Sequence, residues 1–445
     1  MKFFCLTIFT IVIISFSIPS SASIKQDTTK QSIIVSISPR KSSCIFNGSK
    51  IGYKIHIENR YKEPQDGKVV YEIITDKNKK LFGGIFNVHI APKSTLNLKV
   101  KFKVHEPGFF DIVTRINITD YDDTIKKVFA FKPQLINPPL HKPEDFEKFW
   151  IETRKELEAI DPLYVIQYNQ KRSTLTHKVY EVDMQSLENI TIHAILTIPR
   201  LPGKFPVLLL LPGYNQHFEP FMGDNEAGLC LSVRTPSQLT KKNKNPTNET
   251  ENCLVNIDDK NNYFYRGVYM DCVRAVDFIF TNFKMGLDTS RVIVMGGSQG
   301  GALALVTCAL DHRVSICGAD IPFYCNFPDY YDIASKKTPE NFPINLFVHH
   351  FRSMSPPKYY FLKTMAYFDV MNFASYIRCP CIIGLGMMDP IAPPTCVYSV
   401  YNKLSPRIKR MSEIHVLPNI AHTITEEYSY IKLMWVEENI VFSKH

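Results

Sequence analysis

Alternating hydrophobic and polar residues dominate the first third of the chain. Six short runs rich in β-branched residues are separated by turns that contain polar residues, Gly or Pro; the runs are SIIVSISP, KIGYKIHIEN, KVVYEIIT, NLKVKFKV, GFFDIVTRINIT and KKVFAFKP. Strict alternation places every second side chain on one face of a strand. Six or seven strands at this spacing predict a small, all-β, antiparallel sandwich of immunoglobulin-like type over residues 24–136. For this sandwich, a spacer or an oligomer contact is favoured over a carbohydrate-binding module.

The pattern changes after a proline-rich stretch at residues 137–143. The next segment, DFEKFWIETRKELEAI, has apolar residues at helical spacing and predicts an amphipathic helix. From Lys178 onward, runs typical of buried strands alternate with helical runs. The strands are KVYEVDM, TIHAILTIP, PVLLLLPG, RVIVMGG, CIIGLG and EIHVLP, and the helices are DCVRAVDFIF, QGGALALVTCAL and IKLMWVEENIVF. This alternation predicts a mostly parallel sheet, flanked by helices on both faces, over residues 137–445.

The start of the chain is also apolar. Lys2 precedes an apolar run from Phe3 to Ile18, and small residues follow at positions 20–23. This layout predicts a cleaved signal peptide over residues 1–23, because the run is shorter than the ~20 residues that a bilayer span needs. The mature chain is therefore expected to be secreted or periplasmic, without a membrane span. In a eukaryotic host, N-glycosylation would be expected at four sequons: Asn47, Asn117, Asn189 and Asn248.

Charge and cysteine content narrow the function classes. The net charge of +9 is modest for 445 residues, and the densest basic run, Lys241–Lys244, lies in a polar stretch. Because no basic face is interleaved with aromatic residues, nucleic acid is not expected as a partner. Among the 11 cysteines, Cys230 and Cys253 flank the polar stretch and are candidates for a disulfide. No Cys/His cluster has zinc-ligand spacing, so no metal is predicted.

A candidate nucleophile lies where a predicted strand meets a predicted helix. Gly296, Ser298 and Gly300 form a G-x-S-x-G pattern between the apolar strand RVIVM and the helix GGALALVTCAL. The pattern alone is weak, but a sharp strand-to-helix turn needs glycines on both sides of the serine, since larger side chains would collide with neighbouring elements. Ser298 is therefore predicted to be a nucleophile.

A serine nucleophile needs a base to take its proton and an acid to orient the base. In this type of fold the acid and the base follow the serine in that order. Asp389 follows the strand CIIGLG, and His422 follows the strand EIHVLP. Asp320 comes only one strand after Ser298, which is too early for the usual acid. The other candidates are less favoured because of the segments in which they occur: Asp332, Asp369, His349, His350 and His415.

An oxyanion hole is expected beside Ser298. One backbone N–H normally comes from the residue after the nucleophile, here Gln299, and another from a loop after an earlier strand. The strand PVLLLLPG leads into such a loop, in which Tyr214 follows Gly213. Tyr214 and Gln299 are therefore the predicted donors.

Several stretches in the second part of the chain resemble the acetyl xylan esterase and cephalosporin C deacetylase family, which is carbohydrate esterase family seven. In chain order they are PEDFEKFW, LPGYN, NNYFYRGVYMDCVRAVDFI, GGSQGG, IPFYCNF, GLGMMDPIAPPTCVYSVYN and the segment around His422. They cover most of residues 140–440, and the N-terminal sandwich lies outside the resemblance. The resemblance implies an α/β-hydrolase fold, the triad Ser298, Asp389 and His422, the oxyanion donors Tyr214 and Gln299, and no cofactor.

The same resemblance implies a serine esterase that removes small acyl groups, above all acetyl, from xylo-oligosaccharides or other small sugars. It also implies a homo-oligomer. The chain departs from the family at Arg234-Thr235-Pro236, where Arg-Gly-Gln is usual, and at Ala421-His422-Thr423, where Gly-His-Glu is usual. The loop 235–260 is polar and diverged as well. These departures leave subunit association and substrate choice open.

Three alternative functions remain open at this point. A secreted peptidase of the prolyl-oligopeptidase type shares the order of the triad, but its added domain is usually a propeller, which some 100 residues cannot form. A general carboxylesterase would use the same residues on longer acyl chains. A binding protein that retains the fold without catalysis is disfavoured by the complete triad.

Overall fold

The computed structural model of the chain describes residues 32–40, 43–239 and 249–442. Three predictions concern residues outside this part of the chain: the signal peptide over residues 1–23, the basic run Lys241–Lys244 and the sequon at Asn248. The other three sequon asparagines, Asn47, Asn117 and Asn189, are exposed.

Two sheets form the N-terminal region. Their strands, within the described residues, are β1 (Ile33–Pro39), β2 (Ile45–Phe46), β3 (Lys50–Asn59), β4 (Gln65–Thr75), β5 (Lys80–Ile90), β6 (Thr95–Lys103), β7 (Gly108–Ile118) and β8 (Tyr121–Phe131). One sheet has the order β1-β3-β6 and the other the order β2-β8-β7-β4-β5. All the pairs are antiparallel except β2 with β8. The order of β1, β3 and β6 corresponds to strands A, B and E of an immunoglobulin-like sandwich, and that of β8, β7, β4 and β5 to strands G, F, C and C′, with β2 added beside β8.

The alternation read from the sequence determines which side chains fill this sandwich. In β3 the residues Ile51, Tyr53, Ile55 and Ile57 are buried, and they meet Val69, Ile73 and Ile112 of the facing sheet in a single hydrophobic core. Burying side chains of this size stabilises the fold by about 1.5–3 kcal/mol each. The sequence did not predict β2 and β5. β5 is an edge strand whose alternation is interrupted by Gly83 and Gly84.

A larger sheet follows. Within the described residues, its nine strands are β9 (Val165–Tyr168), β10 (His177–Gln185), β11 (Thr191–Pro199), β12 (Phe205–Leu211), β13 (Ala227–Ser232), β14 (Leu287–Gly297), β15 (Ile316–Asp320), β16 (Cys381–Gly386) and β17 (Glu413–Leu417). Their order is β17-β16-β15-β14-β12-β13-β11-β10-β9. The six strands from β17 to β13 are parallel, and β11 is antiparallel to both of its neighbours.

Helices flank this sheet. In the described residues they are α1 (Phe146–Glu158), α2 (Phe264–Thr281), α3 (Gln299–Leu310), α4 (Phe327–Lys337), α5 (Ile344–Phe351), α6 (Pro357–Met365), α7 (Val370–Phe373), α8 (Pro394–Lys403), α9 (Pro406–Arg410) and α10 (Glu426–Phe442). Short 3-10 turns occur at Pro133–Leu135, Leu187–Asn189, Pro236–Leu239, Glu249–Leu254, Phe283–Met285 and Ala374–Tyr376. The helix α3 is buried from Gln299 to Ala309, as its apolar composition requires.

The fold class predicted from the sequence is thus confirmed: an α/β-hydrolase region follows a small all-β region. The limits 24–136 and 137–445 stay predictions. Cys230 and Cys253 do not form the suggested disulfide, because both are separate buried thiols and the sulfur of Cys230 lies 3.6 Å from the carbonyl oxygen of Glu219. Within the described residues, no helix is long and apolar enough to cross a membrane.

A buried ion pair connects the end of β13 to α2. The side chains of Arg234 and Asp271 are 1% and 0% exposed. Asp271 accepts hydrogen bonds from the backbone N–H, Nε and Nη2 of Arg234, at 3.0, 2.9 and 2.7 Å, and from the hydroxyl of Ser186 at 2.5 Å. A Cβ atom added to Gly267 would lie 2.1 Å from the guanidinium, so glycine is required where α2 passes over it.

We predict that Asp271→Ala lowers the free energy of unfolding by about 3–5 kcal/mol, because it removes the buried carboxylate that accepts three hydrogen bonds from Arg234. The carboxylate of Glu188 stays 3.5 Å from Nη1 of Arg234, but it is partly exposed. Urea denaturation measures the change. The matched control is Glu152→Ala, which removes an exposed partner of Lys148 at 3.8 Å and should change the stability by less than about 0.5 kcal/mol. Equal effects of the two substitutions would contradict a stabilising role for the buried pair.

Candidate active site

Ser298 occupies the turn between β14 and α3 in a backbone conformation that few residues adopt. Its φ is 56° and its ψ is −117°. Such a conformation persists only where the surroundings hold it. The N–H of Ser298 donates to the carbonyl of Asp320 at 2.9 Å, and its carbonyl accepts from the N–H of Phe323 at 3.1 Å. The end of β15 and the segment after it thus hold the serine in place.

The glycines beside Ser298 are required by close backbone contacts. A Cβ atom on Gly296 would lie 2.5 Å from the backbone of Gly300, and one on Gly300 would lie 2.2 Å from the carbonyl oxygen of Leu211. Any side chain at these positions would push β14, α3 and the end of β12 apart. The G-x-S-x-G pattern therefore has the steric origin that the sequence predicted.

His422 lies between Ser298 and Asp389. Its Nε2 atom is 2.7 Å from Oγ of Ser298, and its Nδ1 atom is 2.7 Å from Oδ2 of Asp389. A carboxylate can only accept hydrogen bonds, so Nδ1 carries the proton and Nε2 is left as an acceptor for the serine hydroxyl. The structure thus brings together the three side chains singled out from the sequence, although they come from distant parts of the chain.

Two backbone N–H groups fix the orientation of the acid. Oδ1 of Asp389 accepts from the N–H groups of Ile391 and Ala392, both at 2.8 Å. The side chain of Asp389 is 0% exposed and that of His422 is 9% exposed. Removal of water strengthens the interaction between the carboxylate and the imidazole. The arrangement can take a proton from Ser298 and stabilise the imidazolium that results.

The alternative acids and bases have other partners. The carboxylate of Asp320 binds Lys432, and Asp332 binds Lys358. Asp369 accepts from three backbone N–H groups at the starts of α4 and α7, and burial raises its pKa to about 7. His350 pairs with Asp258, and His415 pairs with Glu413. None of these contacts involves Ser298.

The predicted oxyanion donors lie on two connected segments. Gln299 is the first residue of α3, so its backbone N–H has no acceptor within the helix. Its side-chain amide donates to the carbonyls of Pro212 and Gly213 at 3.3 and 3.4 Å, and its Oε1 accepts from the hydroxyl of Tyr265 at 2.5 Å. The Gln299 side chain therefore links the start of α3 to the loop that carries Tyr214.

Aromatic side chains surround these segments. The ring of Tyr214 packs edge-on against Phe342, with centroids 4.9 Å apart. Tyr265 and Tyr324 are buried with their ring centroids 4.5 Å apart, and burial raises the pKa of both hydroxyls well above the usual range. The sequence did not single out Tyr265 or Phe342, because one lies inside an apolar helix and the other in an irregular segment. In the described part of the chain, no group of three or more His, Cys, Asp or Glu side chains is arranged to hold a metal ion.

Comparison with known proteins finds similarity over most of the chain. The family model for acetyl xylan esterase (AXE1) matches residues 134–439. The acetyl esterase Axe7A of Xylanibacter ruminicola is 29% identical over 394 residues, which are 85% of this chain and 84% of the relative.

Two solved structures have a similar fold. The acetyl xylan esterase from Paenibacillus sp. R4 superposes with a TM-score of 0.62 at 25% identity, and acetyl xylan esterase 1 from Thermoanaerobacterium sp. JW/SL YS485 superposes with a TM-score of 0.61 at 23% identity. Each comparison covers 69% of this chain and 98% of the other. The resemblance noted from the sequence is confirmed: the chain belongs to the acetyl xylan esterase family and is a carboxylic ester hydrolase.

Proposed function

We propose that the chain hydrolyses acetyl esters on xylo-oligosaccharides or other small sugars, with Ser298, His422 and Asp389 as its catalytic triad. The observation that carries the proposal is the continuous pair of 2.7 Å contacts from Asp389 through His422 to Ser298. The names of the similar proteins, acetyl esterase and acetyl xylan esterase, support acetyl as the acyl group that the enzyme removes.

In the first half of the reaction, Oγ of Ser298 attacks the ester carbonyl while its proton moves to Nε2 of His422. The tetrahedral intermediate then collapses. The bond between the carbonyl carbon and the sugar oxygen breaks, and His422 returns its proton to that oxygen. The sugar leaves and Ser298 carries the acetyl group. Asp389 keeps Nδ1 protonated throughout and stabilises the positive charge on the ring.

In the second half, water attacks the acetyl-serine while His422 takes its proton. Collapse of the second intermediate releases acetate and returns the proton to Ser298. In both halves a negative charge forms on the carbonyl oxygen, for which we propose the backbone N–H groups of Gln299 and Tyr214 as donors. One donor of this kind contributes about 10²–10³-fold in kcat in related chemistry. All of these steps use groups of the chain and water.

The side chains near Ser298 favour a small acyl group. Phe323 is buried and lies close to the serine in space, because its N–H donates to the Ser298 carbonyl. Tyr265 and Tyr324 are also buried, and their mutual contact leaves their rings little freedom. We infer that rings held in this way beside the nucleophile favour an acetyl group over longer acyl chains.

The sequence of residues 1–23 bears on the cell location of the protein. We propose a secreted or periplasmic enzyme, on the basis of the signal-like residues 1–23.

A peptidase is disfavoured, because the added domain is a small sandwich and not the propeller of the prolyl-oligopeptidase type. A protein without catalysis is disfavoured by the intact hydrogen-bonded triad.

The first prediction concerns the acid. We expect Asp389→Asn to lower kcat by about 10³–10⁴-fold, because an amide can turn its NH₂ towards Nδ1 and stabilise the wrong tautomer of His422. The measurement is kcat per folded molecule with an acetyl nitrophenyl ester. Asp320→Asn is the matched control, since it changes the acidic residue at the end of the neighbouring strand, and it should stay within about tenfold of wild type. A larger loss of kcat in Asp320→Asn than in Asp389→Asn would identify Asp320 as the acid of the triad.

The second prediction concerns acyl length. We expect kcat/KM for nitrophenyl esters to fall at least about tenfold from acetyl to butyryl, because each added methylene is worth about 1–3 kcal/mol in a fitted pocket. The nitrophenyl esters have acyl chains of two to eight carbons, and each rate is corrected for the hydrolysis of that ester without enzyme. A maximum at six or eight carbons would contradict the deacetylase proposal and favour a general carboxylesterase.

A further inference from the structure

The N-terminal sandwich touches the two loops that carry the acid and the base. The acid loop is defined as residues 387–395, which follow β16, contain Asp389 and include the first two residues of α8. The base loop is defined as residues 418–425, which lie between β17 and α10 and contain His422. Met388 of the acid loop donates its N–H to the carbonyl of Ile420 in the base loop at 2.9 Å, so the two loops are already connected to each other.

The first contact is made at the start of the acid loop. The sulfur of Cys44, just before β2, lies 3.4 Å from the sulfur of Met387. Met387 is buried, and its N–H donates to the carbonyl of Leu417 at the end of β17 at 3.1 Å. Met387 therefore contacts the sandwich through its side chain and the strand that leads to His422 through its backbone, two residues before Asp389.

The second contact is made at the end of the acid loop. Thr395 donates its hydroxyl to Oδ2 of Asp76, which lies in the turn between β4 and β5, at 2.5 Å. The same turn is anchored on α4, where Lys77 binds Asp329 at 2.5 Å. Burial raises the pKa of Asp76, and the neighbouring charges act in both directions: Lys337 and Lys77 lower it, and Asp329 raises it.

The third contact is made with the base loop. Nζ of Lys127, in β8, donates to Oδ1 of Asn419 at 3.1 Å. Asn419 has a φ of 58°, a left-handed conformation that a short polar side chain tolerates well. It precedes His422 by three residues. A lysine of the sandwich thus binds the turn from which the base projects.

We propose that the sandwich positions the acid and the base against the nucleophile, with Cys44, Asp76 and Lys127 as positioning residues that act through the two loops. This inference rests on the proposed triad. The acid loop is held at both of its ends and the base loop at one turn, so loss of a contact lets Asp389 or His422 shift while Ser298, on β14 and α3, stays in place. A shift of about 1 Å in such a group can lower the rate about 100-fold.

A contact away from the two loops provides a matched control for these three contacts. Asn402, at the far end of α8 from Thr395, donates through Nδ2 to the carbonyls of Pro133 and Ile136, both at 2.9 Å. These bonds fix α8 to the segment that follows the sandwich. They contact neither the acid loop nor the base loop. Asn402→Ala is therefore the matched control for an effect on stability alone.

The test uses the full chain with Asp76→Ala, Asp76→Asn, Lys127→Met and Asn402→Ala. For each variant, kcat and KM are measured with acetyl nitrophenyl ester across pH, and kcat is expressed per active site titrated with a fluorophosphonate. We expect Asp76→Ala to lower kcat about tenfold or more, with KM within about twofold and a displaced acid limb of the kcat/KM profile. Asp76→Asn restores kcat, because its amide oxygen still accepts from Thr395.

Lys127→Met tests the inference at an exposed contact, so we expect it to leave the melting temperature as in wild type and to lower kcat about threefold or more. Asn402→Ala should lower the melting temperature and leave kcat and the acid limb as in wild type. The inference is overturned if Asp76→Ala and Lys127→Met keep the wild-type kcat and profile, or if Asn402→Ala reproduces their losses. Failure of the proposed triad has a different signature: Ser298→Ala would then still turn over, and wild type would not be labelled at Ser298.

Discussion

The turn at Ser298 is the constraint around which the rest of the molecule is arranged. Ser298 has a φ of 56° and a ψ of −117°, a conformation that a non-glycine residue keeps where its surroundings hold it, and here β14 and α3 approach the end of β12 within contact distance. Glycine at positions 296 and 300 permits that approach. The Ser298 N–H donates to the carbonyl of Asp320, the Ser298 carbonyl accepts from the N–H of Phe323, and these two bonds close the turn. The turn leaves the hydroxyl of Ser298 facing His422.

The sheet order explains how the acid and the base reach this hydroxyl. The strands β14, β15, β16 and β17 are adjacent and parallel, so their carboxyl ends lie along one edge of the sheet. Ser298, Asp320, Asp389 and His422 follow them in that order. Asp320 is the nearest acid to the nucleophile along this edge, but Lys432 of α10 binds it. Asp389, one strand further, is the acid that meets His422.

The parts of this arrangement that depend on local patterns could be predicted from the sequence. The alternation in β3 and β7, the apolar strands and the glycines around Ser298 follow from short-range geometry, and the order of acid and base follows from chain direction. β5 was missed because Gly83 and Gly84 interrupt its pattern. The contacts of Asp76 with Thr395 and of Lys127 with Asn419 join residues about 300 positions apart, and nothing in either segment indicates its partner.

The most direct test of the central claim is the identity of the residue that forms the acyl-enzyme. Wild type is treated with a fluorophosphonate, digested and mapped by mass spectrometry, with acetyl ester turnover followed in parallel. The catalytic account predicts one adduct per chain, on the peptide that contains Ser298, and a loss of turnover in proportion to labelling. It also predicts no adduct in Ser298→Ala. An adduct on a different residue that abolishes turnover, or full turnover after Ser298 is labelled, would contradict it.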